Sequence, residues 1–187
     1  MDFLSDELSV YLKNMKKGYL TRISYRCNEI LKNLEDFETY SYQYNIKISG
    51  MPPLSERENS ESTAGLCLIL FHAIGVKYIN PGHDITHRVP AHRASNRPNA
   101  IICKFVRRLI AKDKVMAARR EVTNLQADQL GFTSQVSLQF INLYDHLTPR
   151  IQSLLMEAKN FRGANNFKFC WAKAGLSTYA RRIRRRS

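Results

Sequence analysis

The apolar positions of the first forty residues fall on a helical stripe. Leu4, Leu8, Tyr11 and Met15 follow a 4-3-4 spacing, and past Gly18 the residues Ile23, Cys27, Ile30, Leu34 and Phe37 follow 4-3-4-3. Residues three and four apart share a helix face. The pattern therefore predicts an a/d stripe broken once near Gly18, in either a coiled-coil-like helix or an amphipathic helix packed on its own domain. Beyond the tyrosine-rich residues 40–44 the period drops to two. Asn45-Ile46-Lys47-Ile48-Ser49 reads as a strand, ended by Gly50 and the Pro52-Pro53 pair. Residues 55–62 read as a polar loop.

Leu66, Ile69, Leu70, Ala73 and Ile74 return to helical spacing, with Gly75 near the stop. Strands are expected at 85–89 and 100–106, separated by a basic, polar loop. Ala111, Val115, Ala118 and Val122 mark the buried side of another helix, and 136–144 reads as a further strand. Strand, helix, strand, strand, helix, strand describes an α+β sandwich of the split βαβ type, two helices covering one face of an antiparallel sheet. Thr148-Pro149 then starts a helix whose apolar side is Ile151, Leu154, Leu155 and Ala158 and whose stop is Gly163. Phe167, Phe169 and Trp171 alternate with Lys168, Cys170 and Ala172 in a terminal hairpin that turns at Gly175. The expected plan is a helical segment at 1–40, an α+β domain at 45–145 and a small helix-plus-hairpin domain at 146–187.

Charge changes this picture from a fold to a partner. The 187 residues hold 29 Lys and Arg against 16 Asp and Glu, a net +13. Residues 1–40 contribute −1, so the surplus lies downstream. Residues 88–120 hold ten bases and the single acid Asp113, and residues 162–187 hold eight bases and no acid. Such blocks point to a polyanion. Arg88, Arg93 and Arg97 flank the loop between the second and third strands, and Arg107, Arg108, Lys112, Arg119 and Arg120 follow. Lys168, Lys173, Arg181, Arg182, Arg184, Arg185 and Arg186 form the second block, which reads as a phosphate grip or a nuclear-import signal. Cys27, Cys67, Cys103 and Cys170 are widely spaced and read as reduced core residues. Acidic Asp2, Asp6 and Glu7 oppose a signal peptide, and no apolar run reaches a membrane span, so a cytoplasmic or nuclear place and no membrane partner are expected.

Catalytic chemistry finds little support. His83, His87 and His92 lie close together but without a cysteine pair, and Asp84 with His87 or Asp145 with His146 lack a nucleophile motif. No glycine-rich phosphate loop is present. The expectation is a non-enzymatic chain with no cofactor, no metal and no small-molecule substrate. The first strand offers no aromatic for base stacking, the third offers only Phe105, and Phe105 and Trp171 both read as core.

Six short motifs in order carry a family likeness: Leu34-Glu35-Asp36-Phe37 leading to Asn45–Gly50, Asp84–Pro90, Arg97-Pro98 through Ile101, Ile102 and Phe105, Ala117–Arg120, Asp145–Pro149, and Trp171 with Gly175 and Arg181. From about residue 30 to 183 the chain resembles the C-terminal part of LINE-type retrotransposon RNA-binding proteins, in the branch shared with the baculovirus few-polyhedra protein. That resemblance implies an RNA-recognition-like (RRM-like) domain, a small C-terminal domain, and trimerisation through the N-terminal helix. It also implies binding of single-stranded RNA or DNA with chaperone-like strand exchange. Where the family carries a basic run before the first strand, this chain has Tyr42, Gln43, Tyr44 and Asn45. The alternative is a protein-interaction scaffold of the few-polyhedra type.

Overall fold

A computed structural model describes residues 3–55, 57–77, 85–90, 97–105, 110–165, 167–173 and 177–182. The chain divides into two compact units, Met1–Tyr40 and Ser41–Ser187.

The first unit belongs to one helix, α1 (Phe3–Tyr42). It runs through Gly18 unbroken, because one glycine costs a helix interior only about 1 kcal/mol and no proline interrupts the ladder. The interruption lies in the stripe's spacing and not in the backbone. Leu8, Ile30 and Phe37 are 59%, 58% and 70% exposed. Cys27, read as a core residue, is exposed on this helix.

The second unit is α+β. Its first part runs β1 (Asn45–Ser49), α2 (Ser60–Ala73), β2 (Ile85–Arg88), β3 (Ile101–Lys104), α3 (Ile110–Ala118) and β4 (Asn142–Asp145), with the sheet ordered β2-β3-β1-β4 and antiparallel throughout. The alternation of β1 sends Ile46 and Ile48 to one face, where Ile101, Cys103 and Leu143 join them. Leu66, Cys67, Leu70 and Phe71 of α2 and Val115 of α3 close over that layer, with the Phe71 and Phe105 rings 5.8 Å apart.

Three boundaries differ from the sequence reading, each for a local reason. Helix α2 begins inside the stretch read as loop. Asn59 caps it, accepting from the Ser62 amide at 2.8 Å while the Ser62 hydroxyl accepts from the Asn59 amide at 2.9 Å. Helix α3 ends at Ala118, and Val122 is buried from a separate 3-10 turn, Glu121–Asn124. Strand β4 is short: the expected strand at 136–144 turns on itself, the Ile141 amide bonding to the Leu138 carbonyl at 2.9 Å, and pairs with β1 only from Asn142. At that junction Gly50 adopts φ +72, and a Cβ there would collide with the Phe140 backbone.

Strand β2 inverts the usual facing. Ile85 is 62% exposed and Val89 38%, whereas Thr86 is 5% exposed and faces the core. The rest of the unit is α4 (Pro149–Ala164), capped by Thr148, and a hairpin of β5 (Phe167–Lys173) and β6 (Ser177–Arg182). The helix continues through Gly163, read as its stop, to an Asn165 cap, and none of its residues is fully buried. It meets the hairpin where the Phe161 and Phe167 rings stand 5.8 Å apart.

Candidate nucleic-acid interface

With α2 and α3 on one face of the sheet, the register fixes which side chains occupy the other. His87 of β2 lies opposite Ile102 of β3, Ile102 opposite Lys47 of β1, and Lys47 opposite Tyr144 of β4. The adjacent row sets Ile85 opposite Lys104 and Lys104 opposite Asn45, and the His146 amide bonds to the Asn45 carbonyl at 3.3 Å. His87 is exposed, Tyr144 is 52% exposed, and Lys47 and Lys104 are partly exposed. None of the described residues in these two rows is an Asp or Glu.

At the margin of this face the His146 and Tyr42 rings stack with centroids 4.5 Å apart, and the Asn45 amide nitrogen lies 3.4 Å from His146 Nδ1. Burial first, and then the positive charges of Lys47, His87 and Lys112, push the His146 imidazole below its ordinary value.

The expected site residues are not brought together as one track. Arg88 is turned inward. Its Nε donates to Glu58 Oε1 at 2.8 Å and its Nη2 to Glu58 Oε2 at 3.1 Å and the Pro52 carbonyl at 3.0 Å. Its Nη1 donates to the Met51 and Asn99 carbonyls, both at 2.9 Å. Five donors have five acceptors, and the side chain is 17% exposed, so nothing remains for a phosphate. Lys112 is likewise engaged, with Nζ 2.7 Å from Asp145 Oδ1 and from the Gln43 carbonyl oxygen it donates to. These two bases hold the fold together instead of gripping a ligand.

Arg97 lies over the exposed Phe140 ring, 5.5 Å from its centroid. Arg119 and Arg120 are exposed at the end of α3 and form no ion pair with any described residue. On the hairpin the register sets Arg181 opposite Phe169, Tyr179 opposite Trp171 and Ser177 opposite Lys173, and Arg182 opposite Phe167. The side chains of Lys168, Lys173, Tyr179, Arg181 and Arg182 lie outside the described residues. Phe169 is 52% and Trp171 43% exposed, which corrects the core reading of Trp171, while Phe105, at 1%, is core. The β5 backbone also carries Lys168. Arg93, Arg107, Arg108, Arg184, Arg185, Arg186, His83, Asp84 and His92 lie outside the described residues.

Sequence reasoning missed Lys47, Lys104 and Tyr144 on the sheet. The signal was available for Lys47, a lone base alternating with Ile46 and Ile48 in a strand. It was weaker for Tyr144, because the true start of β4 decides which way it points. The chain matches no protein-family model, and no match emerges from comparison with curated proteins.

Proposed function

We propose that the Ser41–Ser187 unit binds single-stranded RNA or DNA, without catalysis, on the face of its sheet opposite α2 and α3. The observation that carries this reading is the row His87–Ile102–Lys47–Tyr144, with Lys104 beside it and no carboxylate among the described residues of those rows. Lysines on such a face attract a phosphate chain through counterion release, and an exposed aromatic supplies a surface on which a base stacks. The β-α-β-β-α-β order with a β2-β3-β1-β4 sheet supports an RRM-like arrangement, a fold that presents its sheet to single strands. The exposed Phe169 and Trp171 of the hairpin offer further surfaces on which bases stack.

The reading agrees with the resemblance to LINE-type retrotransposon RNA-binding proteins, including strand-coating or chaperone-like action and self-association through α1. It assigns no role to a cofactor, a membrane or a small-molecule substrate. The test is a titration of the intact chain with unrelated RNA and DNA oligonucleotides across a range of salt. Affinity that falls steeply with salt supports the reading. Negligible oligonucleotide binding alongside tight protein partners would favour the scaffold alternative.

A further inference from the structure

We infer that the middle of α1 is a second phosphate-binding site for single-stranded nucleic acid, carried on the other unit from the sheet and independent of it. The net −1 of the first forty residues hides a segregation of charge. Between Glu7 and Glu29 the helix carries Lys13, Lys16, Lys17, Arg22 and Arg26 and no Asp or Glu. Past that stretch Glu29, Glu35, Asp36 and Glu38 surround the lone Lys32. The five basic residues of the acid-free stretch are exposed, and none forms an ion pair with any described residue. That includes Arg26, although Glu29 stands one helical turn away.

Helical spacing makes this arrangement unfavourable for the helix itself. Residues three and four apart are surface neighbours, and like charges at those spacings weaken a helix that opposite charges would support. Lys13 is so placed with Lys16 and Lys17, and Arg22 with Arg26. A polyanion reverses the sign, because a phosphate between two such cations is attracted by both and each contact releases counterions. From Lys13 to Arg26 the helix rises about 20 Å, room for several consecutive phosphates. Tyr11, Tyr19 and Tyr25, all exposed, are interspersed with the cations and offer rings on which nucleobases stack.

Placement around the helix selects the kind of polyanion. A helix lying on an anionic membrane keeps its basic residues off its apolar face. Here Arg22 stands seven residues after Met15 and Arg26 seven after Tyr19, so both arginines share the face of the apolar stripe, while Lys13 and Lys17 lie away from it. Cations on both sides suit a flexible strand that turns around the helix. They do not suit a flat bilayer surface.

The test is the salt dependence of binding between the intact chain and an unstructured RNA oligonucleotide, oligo(U). The triple variant Lys13→Gln/Lys16→Gln/Lys17→Gln keeps a good helix former at each position. Its log–log salt slope is expected to be shallower by about 2, three single-strand contacts at roughly 0.7 each. Lys32→Gln, set among acids, is expected to leave the slope unchanged. A triple variant with the original slope, or a Lys32→Gln variant that loses as much per charge, would overturn the site. Vesicles containing phosphatidylserine are titrated alongside, and a loss confined to them would assign the stretch to a membrane surface and overturn it too. Substitutions at Lys47 and Lys104 report on the sheet alone, so either site can fail while the other stands.

Discussion

Arg88 and Glu58 form a two-pronged ion pair, at 2.8 and 3.1 Å, that fastens the segment after β1 to the edge strand β2. The Glu58 side chain is only 6% exposed and also accepts from the Thr63 hydroxyl at 2.6 Å and the Leu54 amide at 3.2 Å. An arginine at the head of a basic block is thus part of the scaffold. Removing the arginine leaves a buried charge and takes the donor from three loop carbonyls, those of Met51, Pro52 and Asn99. Arg88→Ala is expected to cost about 3 kcal/mol of stability, measured by urea unfolding. Oligonucleotide affinity per folded molecule should stay within about twofold of the original (~0.4 kcal/mol). A large loss of binding in a stable protein would return Arg88 to the interface.

Acid should loosen the same contact. Burial alone would raise the Glu58 carboxyl, but the hydrogen bonds from Arg88 and Thr63 and the Arg88 charge outweigh it and hold it below its ordinary 4.5. A depressed carboxylate contributes stability above its unfolded value and loses it as pH falls through the folded one. Glu58→Gln should therefore flatten the stability profile below about pH 4.5. A profile as steep as the original's would assign the acid response elsewhere.

His146 acts at a higher pH. Its folded value lies below the ordinary 6.5, so the unfolded chain takes up a proton that the folded one refuses. Stability is complete above about 6.5 and declines as pH falls toward the folded value. Replacing His146 with Gln should remove that slope below about pH 6.5. A bound polyanion offsets the neighbouring positive charges, so protonation and oligonucleotide binding should favour each other, and affinity should rise as pH falls through this range.

Gly50 tests the packing at the strand junction. Its φ of +72 suits glycine, and any Cβ would strike the Phe140 backbone. Gly50→Ala is expected to destabilise by at least about 2 kcal/mol, from the left-handed conformation and the displaced β1–β4 junction together. Gly18→Ala, in an open helix position, should stabilise α1 by up to about 1 kcal/mol, visible as increased helical signal on heating.

How much of this was written in the sequence depends on the interaction that fixes each element. Strand β1 was legible to its ends, since Ile46 and Ile48 alternate with Lys47 and Gly50 stops the strand. So was the start of α4, where Thr148 and Pro149 cap a helix by local chemistry alone. The residues at 136–144 misled because Val136, Leu138 and Phe140 keep a strand's period while the backbone turns and brings Phe140 against Gly50, a tertiary contact. The site was less legible than the fold. Arg88 and Arg119 look alike in a basic run, and only the tertiary position of Glu58, thirty residues away, separates a buried tether from an exposed cation. Lys47 and Lys104 were overlooked because they are single bases inside apolar strands, set in adjacent rows of one face only by the β1–β3 register.

The central claim is that the face of the sheet opposite α2 and α3 holds the phosphate chain, and it is tested most directly by neutralising Lys47 and Lys104 together. Oligonucleotide affinity of the Lys47→Ala/Lys104→Ala variant would be measured as a function of salt, with unfolding curves confirming an intact fold. The expected result is weaker binding across unrelated sequences and a log–log salt slope shallower by about 1.4, two single-strand phosphate contacts at roughly 0.7 each. An unchanged affinity and slope in a folded variant would contradict the account and place any binding elsewhere on the chain.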